Sequence, residues 1–72
     1  MPELIDARGL GCGQPFILSK NALELHNEVI VLVNETTALE NLKILGRFSG
    51  CIVEINENAG NGYVVSMKKL SD

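Results

Sequence analysis

Between Gly9 and Pro15 the chain cannot continue any regular element. Gly9, Gly11 and Gly13 alternate with Leu10 and Cys12, and Pro15 follows Gln14. Glycine weakens strand and helix interiors alike, whereas proline suits the first turn of a helix, where its missing N–H is not needed. The stretch therefore predicts a tight turn leading from a strand into a helix, and it sets the frame for the rest of the chain. Upstream, Glu3 to Arg8 reads as a short strand with Leu4, Ile5 and Ala7 as its apolar part. Downstream, Gln14 to His26 carries helical spacing. Pro15, Leu18, Ala22 and Leu25 fall on one stripe, with Phe16 and Leu23 along its edge. Gln14, Lys20, Asn21 and Glu24 fall opposite, and Ile17 projects among these polar residues. Asn27 tolerates the left-handed conformation that ends a helix.

Val29-Ile30-Val31-Leu32-Val33 is an unbroken, β-branched apolar run, the pattern of a central, buried strand. A strand, a helix and a strand within about thirty residues predict a βαβ unit with a parallel pair. Thr37, with Glu40 three residues on, reads as a capping box opening a second helix that runs to about Phe48. Ala38, Leu42, Leu45 and Phe48 share its apolar face with Leu39 beside them, and Gly46 projects onto that face as a point of close approach. Ser49-Gly50 closes the helix. Cys51 to Ile55 alternates as a strand, with Cys51, Val53 and Ile55 inward and Glu54 outward. Glu57 to Gly62 reads as a hairpin turn around Asn61-Gly62, and Tyr63 to Lys68 as the returning strand with Tyr63, Val65 and Met67 on one face. Lys68 and Lys69 are read as blunting an exposed edge. The expectation is a β-α-β-α-β-β chain in the α/β (α+β) class. It forms a two-layer sandwich in which a four-stranded mixed sheet carries both helices on one face. Residues 1–72 read as one domain.

Composition narrows the function. Phe16, Phe48 and Tyr63 are the only aromatics, too few for a base-stacking platform. The net charge of −3 lacks the clustered positive charge that phosphate backbones require, so direct nucleic-acid binding is not expected. No apolar run approaches a membrane span, and Met1-Pro2-Glu3 does not begin a signal peptide. Two cysteines without an export signal point to a reducing compartment, the cytoplasm, and to free thiols.

Cys12 is the candidate reactive residue. A cysteine between glycines at a helix N-terminus sits where the helix dipole favours a thiolate. Cys51 begins an alternating strand and reads as a packed small hydrophobe. His26, the only histidine, lies about 20 Å from Cys12 along the helix, which removes a Cys–His dyad within one chain. Two separated cysteines and that histidine do not converge as metal ligands, and no cofactor is implied. The Gly9-x-Gly11-x-Gly13 run resembles a phosphate loop but lacks both the dinucleotide spacing and the G-K-[ST] ending. Nucleotide binding, with Glu35 as a ribose-binding acid, stands as a minor alternative. Ile17 with Lys20, Lys43 and Arg47 is read as an outward surface with an apolar centre and a basic rim, suited to partner docking.

Asp6-Ala7-Arg8-Gly9-Leu10-Gly11-Cys12-Gly13-Gln14-Pro15, followed by Lys20, resembles the signature of the TusA/SirA/YedF family of small sulfur carriers, roughly D-x-x-G-L-x-C-P-x-P with a basic residue in the helix. Asp6, Gly9, Leu10, Cys12, Pro15 and Lys20 match, and the inferred element order is also the family's. The resemblance implies a sulfurtransferase-like persulfide carrier. Cys12 accepts sulfur from a cysteine desulfurase or another persulfide donor and relays it to an acceptor, such as a DsrE-like or tRNA-thiolating protein. Sulfur or selenium metabolism and cofactor sulfuration are the family's roles. Asp6, Arg8, Gly9, Leu10, Gly11, Gly13 and Pro15 would shape the loop, and Arg8, Lys20, Lys43 and Arg47 would steer partners. One departure stands beside the sulfur: Gly13 replaces the family's proline. It leaves a second reading open, a non-catalytic interaction or regulatory domain on the same fold.

Overall fold

The computed structural model describes residues 2–11, 13–58 and 62–70. The elements follow the expected order: β1 (Glu3–Asp6), α1 (Gln14–Leu25), β2 (Glu28–Val33), α2 (Thr36–Phe48), β3 (Cys51–Asn58) and β4 (Gly62–Lys69). They build a single four-stranded sheet in the order β1-β2-β4-β3. β1 pairs with β2 in parallel, and β4 pairs antiparallel with both β2 and β3. Val29, Val31 and Val33 of β2 and Val65 and Met67 of β4 are fully buried. They form one core with Leu23 of α1 and Leu39, Leu42 and Leu45 of α2. Alternate strand residues thus face both helices, which gives the two-layer sandwich. The far face is uncovered: Ile30 and Leu32 are half-buried, and Leu4 and Ile52 are exposed. The β2 run is the expected central strand, its alternate residues Val29, Val31 and Val33 buried under the helices.

Other details correct the sequence reading. β4 lies inside the sheet, not at its edge, so Lys68 and Lys69 do not blunt an edge. The Lys69 N–H donates to the Asn27 carbonyl at 2.8 Å. β1 ends at Asp6 rather than Arg8, although the Ala7 N–H still bonds the Leu32 carbonyl at 2.8 Å. The α2 helix starts at Thr36 with Glu35 at its N-cap, and no side chain caps it. Glu40 instead reaches Lys43 at 3.1 Å, so the expected capping box does not form. β3 runs on to Asn58 and β4 begins at Gly62, and the expected turn at residues 59–61 falls outside the described residues.

The buried face of α1 is also rotated from its expected position, whereas that of α2 is the expected one except at Phe48. In α1 the buried residues are Pro15, Ser19 and Leu23, spaced four apart, while Leu18 is exposed and Leu25 is 83% exposed. A buried serine inside a weakly patterned helix hides the true stripe from a reading of apolar residues alone. Phe48 is 86% exposed because it lies in the last turn of α2, past the edge of the core.

Gly46 has the expected role. A Cβ at this position would run into Val53 Cγ2 and lie 3.7 Å from Met67, so the bare backbone lets α2 lie low over β3. In an open helix, alanine would gain up to about 1 kcal/mol over glycine. Here overpacking, typically about 1–3 kcal/mol, outweighs it. Gly46→Ala is expected to lower the urea midpoint of unfolding, and a raised midpoint would show that the contact yields freely.

Candidate functional site

The loop joining β1 to α1 is held by backbone and short side chains rather than by packing. Asp6 and Arg8 clasp each other across its start. Arg8 donates from Nε to Asp6 Oδ1 at 2.9 Å and from Nη2 to Oδ2 at 2.8 Å, and its backbone N–H reaches Oδ1 at 3.2 Å. These hydrogen bonds, side-chain first, hold the Asp6 carboxyl at about 2, below its ordinary 3.8, and push the Arg8 guanidinium further up. Both side chains are exposed, so the pair orders the loop start more than it stabilises the fold. The chain then turns through Gly9 at φ +80°. The Gly9 N–H donates to Asn34 Oδ1 at 3.2 Å, and the Leu10 N–H to the Ala7 carbonyl at 3.3 Å.

Gly13 is the N-cap of α1 at φ +91°. The Gln14 N–H bonds the Gly11 carbonyl and the Ile17 N–H bonds the Gly13 carbonyl, each at 3.1 Å. Pro15 sits buried in the first turn. Gly13 offers no side-chain oxygen as a cap, and the first turn holds no acidic residue, so nothing anionic from that turn competes for this helix end. Cys12 itself lies outside the described residues. Its neighbours Gly11, exposed, and Gly13, half-buried, belong to the wall of a cavity of about 400 Å³. Leu10 and Phe16 form one side of that cavity, and Glu35, Thr37, Ala38 and Asn41 the other.

The sequence-expected residues divide into two places. Gly9, Leu10, Gly11, Gly13 and Pro15 gather at this cavity, with Asp6 and Arg8 just before it. Ile17 and Lys20 are exposed on α1. Lys43 and Arg47 do not join them. They line a separate groove of about 350 Å³ with Cys51, Val53 and Ile55, on the flank of α2 away from Ala38 and Asn41. The expected single basic rim around Ile17 is therefore split by the body of α2.

Sequence reasoning missed Asn34, Thr37, Ala38 and Asn41. The available signal was position, because Asn34 follows β2 directly, and in open sheets ligands collect beyond the carboxyl ends of parallel strands. Cys51 is a free, half-buried thiol. Burial pushes it up, opposed by Lys69, which suits a packed side chain rather than a nucleophile. His26 is half-buried at the C-cap of α1, its backbone N–H donating to the Ala22 carbonyl at 2.8 Å. Among the described residues no three His, Cys, Asp or Glu side chains cluster as metal ligands. No helix there is long and apolar enough to cross a membrane.

Fold and loop together define a small two-layer α/β module with a glycine-shaped loop at the head of its first helix. The same architecture is found in the crystal structure of a SirA-like protein from Desulfitobacterium hafniense. The two share 29% sequence identity and superpose with a TM-score of 0.85, over 90% of this chain and 93% of that one. No curated protein matches the chain. The family model described as sulfurtransferase TusA matches residues 3–69, and the chain belongs to that sulfurtransferase family.

The left-handed φ at Gly13 suits glycine and excludes proline. Proline is locked near −65°, so Gly13→Pro is expected to rebuild the start of α1 rather than stiffen it. Gly13→Ala is expected to cost about 1–2 kcal/mol, the strain of an L residue in that region. Equal stability of all three proteins in urea would contradict this geometry. A carboxyl held below its unfolded value contributes stability above that value and loses it as pH falls through the folded one. The Asp6 contribution therefore disappears between roughly pH 3.8 and about 2. An NMR titration is expected to place the Asp6 midpoint there, moving back toward 3.8 in Arg8→Met.

Proposed function

We propose that Cys12 is the sulfur-carrying residue of a persulfide relay. The observation that carries the reading is the loop that flanks it. Gly11 and Gly13, the sequence neighbours of Cys12, line a cavity at a helix N-terminus that has no side-chain cap. The family match supports the same chemistry.

In the first step the Cys12 thiolate attacks the outer sulfur of a donor cysteine persulfide. The new Cys12–S bond forms, the donor's S–S bond breaks, and the donor cysteine leaves as a thiolate. The outer sulfur keeps its proton, which gives Cys12–S–SH. In the second step an acceptor thiolate attacks that outer sulfur and Cys12 leaves as a thiolate. The transferred sulfur keeps its oxidation level throughout, so no external oxidant or reductant is needed. The N-terminal end of α1 favours negative charge at Cys12, which helps it both as nucleophile and as leaving group. No base is required from the chain, consistent with His26 at the far end of α1.

The donor is a cysteine desulfurase or another persulfide protein, and the acceptor is a DsrE-like or tRNA-thiolating protein. Ile17 and Lys20, exposed on α1, are the docking residues on the cavity's helix. The relay belongs in a reducing compartment, the cytoplasm, where thiols persist.

Incubation with a cysteine desulfurase and cysteine, followed by intact mass measurement, tests the proposal. Wild type and Cys51→Ser are expected to gain one sulfur, and Cys12→Ser none. An adduct that survives Cys12→Ser would move the chemistry elsewhere. No adduct on any variant would favour the non-catalytic interaction domain.

A further inference from the structure

The second groove lies along the free edge of the sheet, and the register shows what that edge offers. β3 has β4 on one side and no strand on the other among the described residues. The Lys69 N–H bonds Asn27 beyond β2, whereas the Leu70 N–H bonds the Gly50 carbonyl at 3.2 Å on the β3 side. Backbone groups alternate direction along a strand. Even-numbered β4 residues therefore bond to β3, and their register partners are Ile52, Glu54 and Asn56. The N–H and C=O groups of Cys51, Val53, Ile55 and Glu57 consequently point outward from the edge. Cys51, Val53 and Ile55 also line the groove with their side chains, opposite Lys43 and Arg47 on the flank of α2. Backbone donors and acceptors, an apolar floor and a cationic wall thus converge where the inward side chains of a fifth strand would land. Natural edges are commonly guarded by lysine, proline or a bulge. β3 has no lysine or proline, and its pairing with β4 runs unbroken from Cys51 to Asn58.

We propose that the β3 edge is a docking site for an extended segment of a partner protein. The segment adds as an antiparallel fifth strand, setting apolar side chains against Val53 and Ile55 and a carboxylate against Lys43 and Arg47. This is strand addition, in which the main chain supplies affinity and alternate side chains supply selectivity. The charge argues for an acidic partner. Arg47 is exposed and makes no ion pair among the described residues, and Lys43 meets only Glu40, in an exposed pair. A second copy of this chain fits less well. The antiparallel register that brings its Glu57 to Cys51, beside Arg47, also sets the two Glu54 side chains directly opposite each other, where like charges destabilise. The site is separate from the Gly9–Gly13 loop and does not depend on sulfur transfer at Cys12. A short strand buries less than a standard interface, so an isolated peptide binds weakly.

The test titrates the 15N-labelled protein with the blocked peptide Ac-Thr-Val-Lys-Val-Thr-Glu-NH2 at millimolar concentration. Shifts are expected at the amides of Cys51, Val53, Ile55 and Glu57. In the free protein those amides exchange with solvent faster than Ile52, Glu54 and Asn56. Replacing the peptide's glutamate by lysine is expected to weaken binding about twofold to fivefold, the scale of an exposed ion pair. Arg47→Glu, a surface change that leaves the fold intact, is expected to do the same to the acidic peptide. Ile55→Pro removes an outward N–H together with part of the apolar floor, leaves the β3–β4 hydrogen bonds in place, and is expected to abolish the shifts. Shifts confined to the Gly9–Gly13 loop, or none at all, would overturn the site. Equal binding of both peptides would overturn the acidic partner. Concentration-dependent shifts at the same four amides without peptide would make the occupant a second copy and overturn the partner strand.

Discussion

The parallel pairing of β1 with β2 dictates where everything else lies. Two parallel neighbours cannot be joined by a hairpin, so the chain must travel back over the sheet, and α1 is that return. The crossover has to begin at the carboxyl end of β1. This places the Gly9–Gly13 loop beside Asn34, which follows the carboxyl end of β2, and beside Glu35 and Thr37 at the start of α2. The cavity is a consequence of this topology. Two strand ends and the starts of two helices meet there, and three of the residues that line the gap are glycines.

Much of this was legible in the sequence because the strongest signals are backbone signals. The alternation of glycine with Leu10 and Cys12, then Pro15, marked the strand-to-helix turn, and the β-branched run at Val29–Val33 marked an inner strand. Gly46 was legible as a contact point because glycine weakens a helix interior, and on an apolar stripe the missing Cβ makes room for a close neighbour. What was not legible depends on partners distant in sequence. Whether β4 is inner or outer follows from its pairing with β2, which no local pattern records. The terminal lysines that look like edge guards instead finish an inner strand. The buried face of α1 is hidden because Ser19 is fully buried and a polar residue does not register in an apolar count. Basic residues on two helices read as one patch when the helices are set side by side with their polar faces merging. Lys43 and Arg47 instead lie on the flank of α2 that meets β3, away from α1.

The two cysteines show how position rather than residue type decides chemistry. Cys51 lies on a strand, half-buried, its thiol pushed up by burial and its Sγ 4.0 Å from the Ser49 carbonyl. Cys12 stands in sequence between two glycines, ahead of a helix whose first turn carries no negative charge. Gly13 ties the loop to this chain's own geometry. Its left-handed backbone opens α1 through a glycine-dependent turn that proline, locked near −65°, does not take. Among the described residues no histidine stands beside this loop, so the helix end is the electrostatic device on which the proposed carrier relies.

The pH dependence of alkylation in two single-cysteine proteins tests that device most directly. In Cys51→Ser, where Cys12 is the only thiol, the rate of iodoacetamide alkylation is expected to rise with a midpoint below the ~8.5 of a free cysteine. In Cys12→Ser, Cys51 is expected to titrate above the ordinary thiol value and to react slowly. A Cys12 midpoint at or above that of a free cysteine would contradict the account.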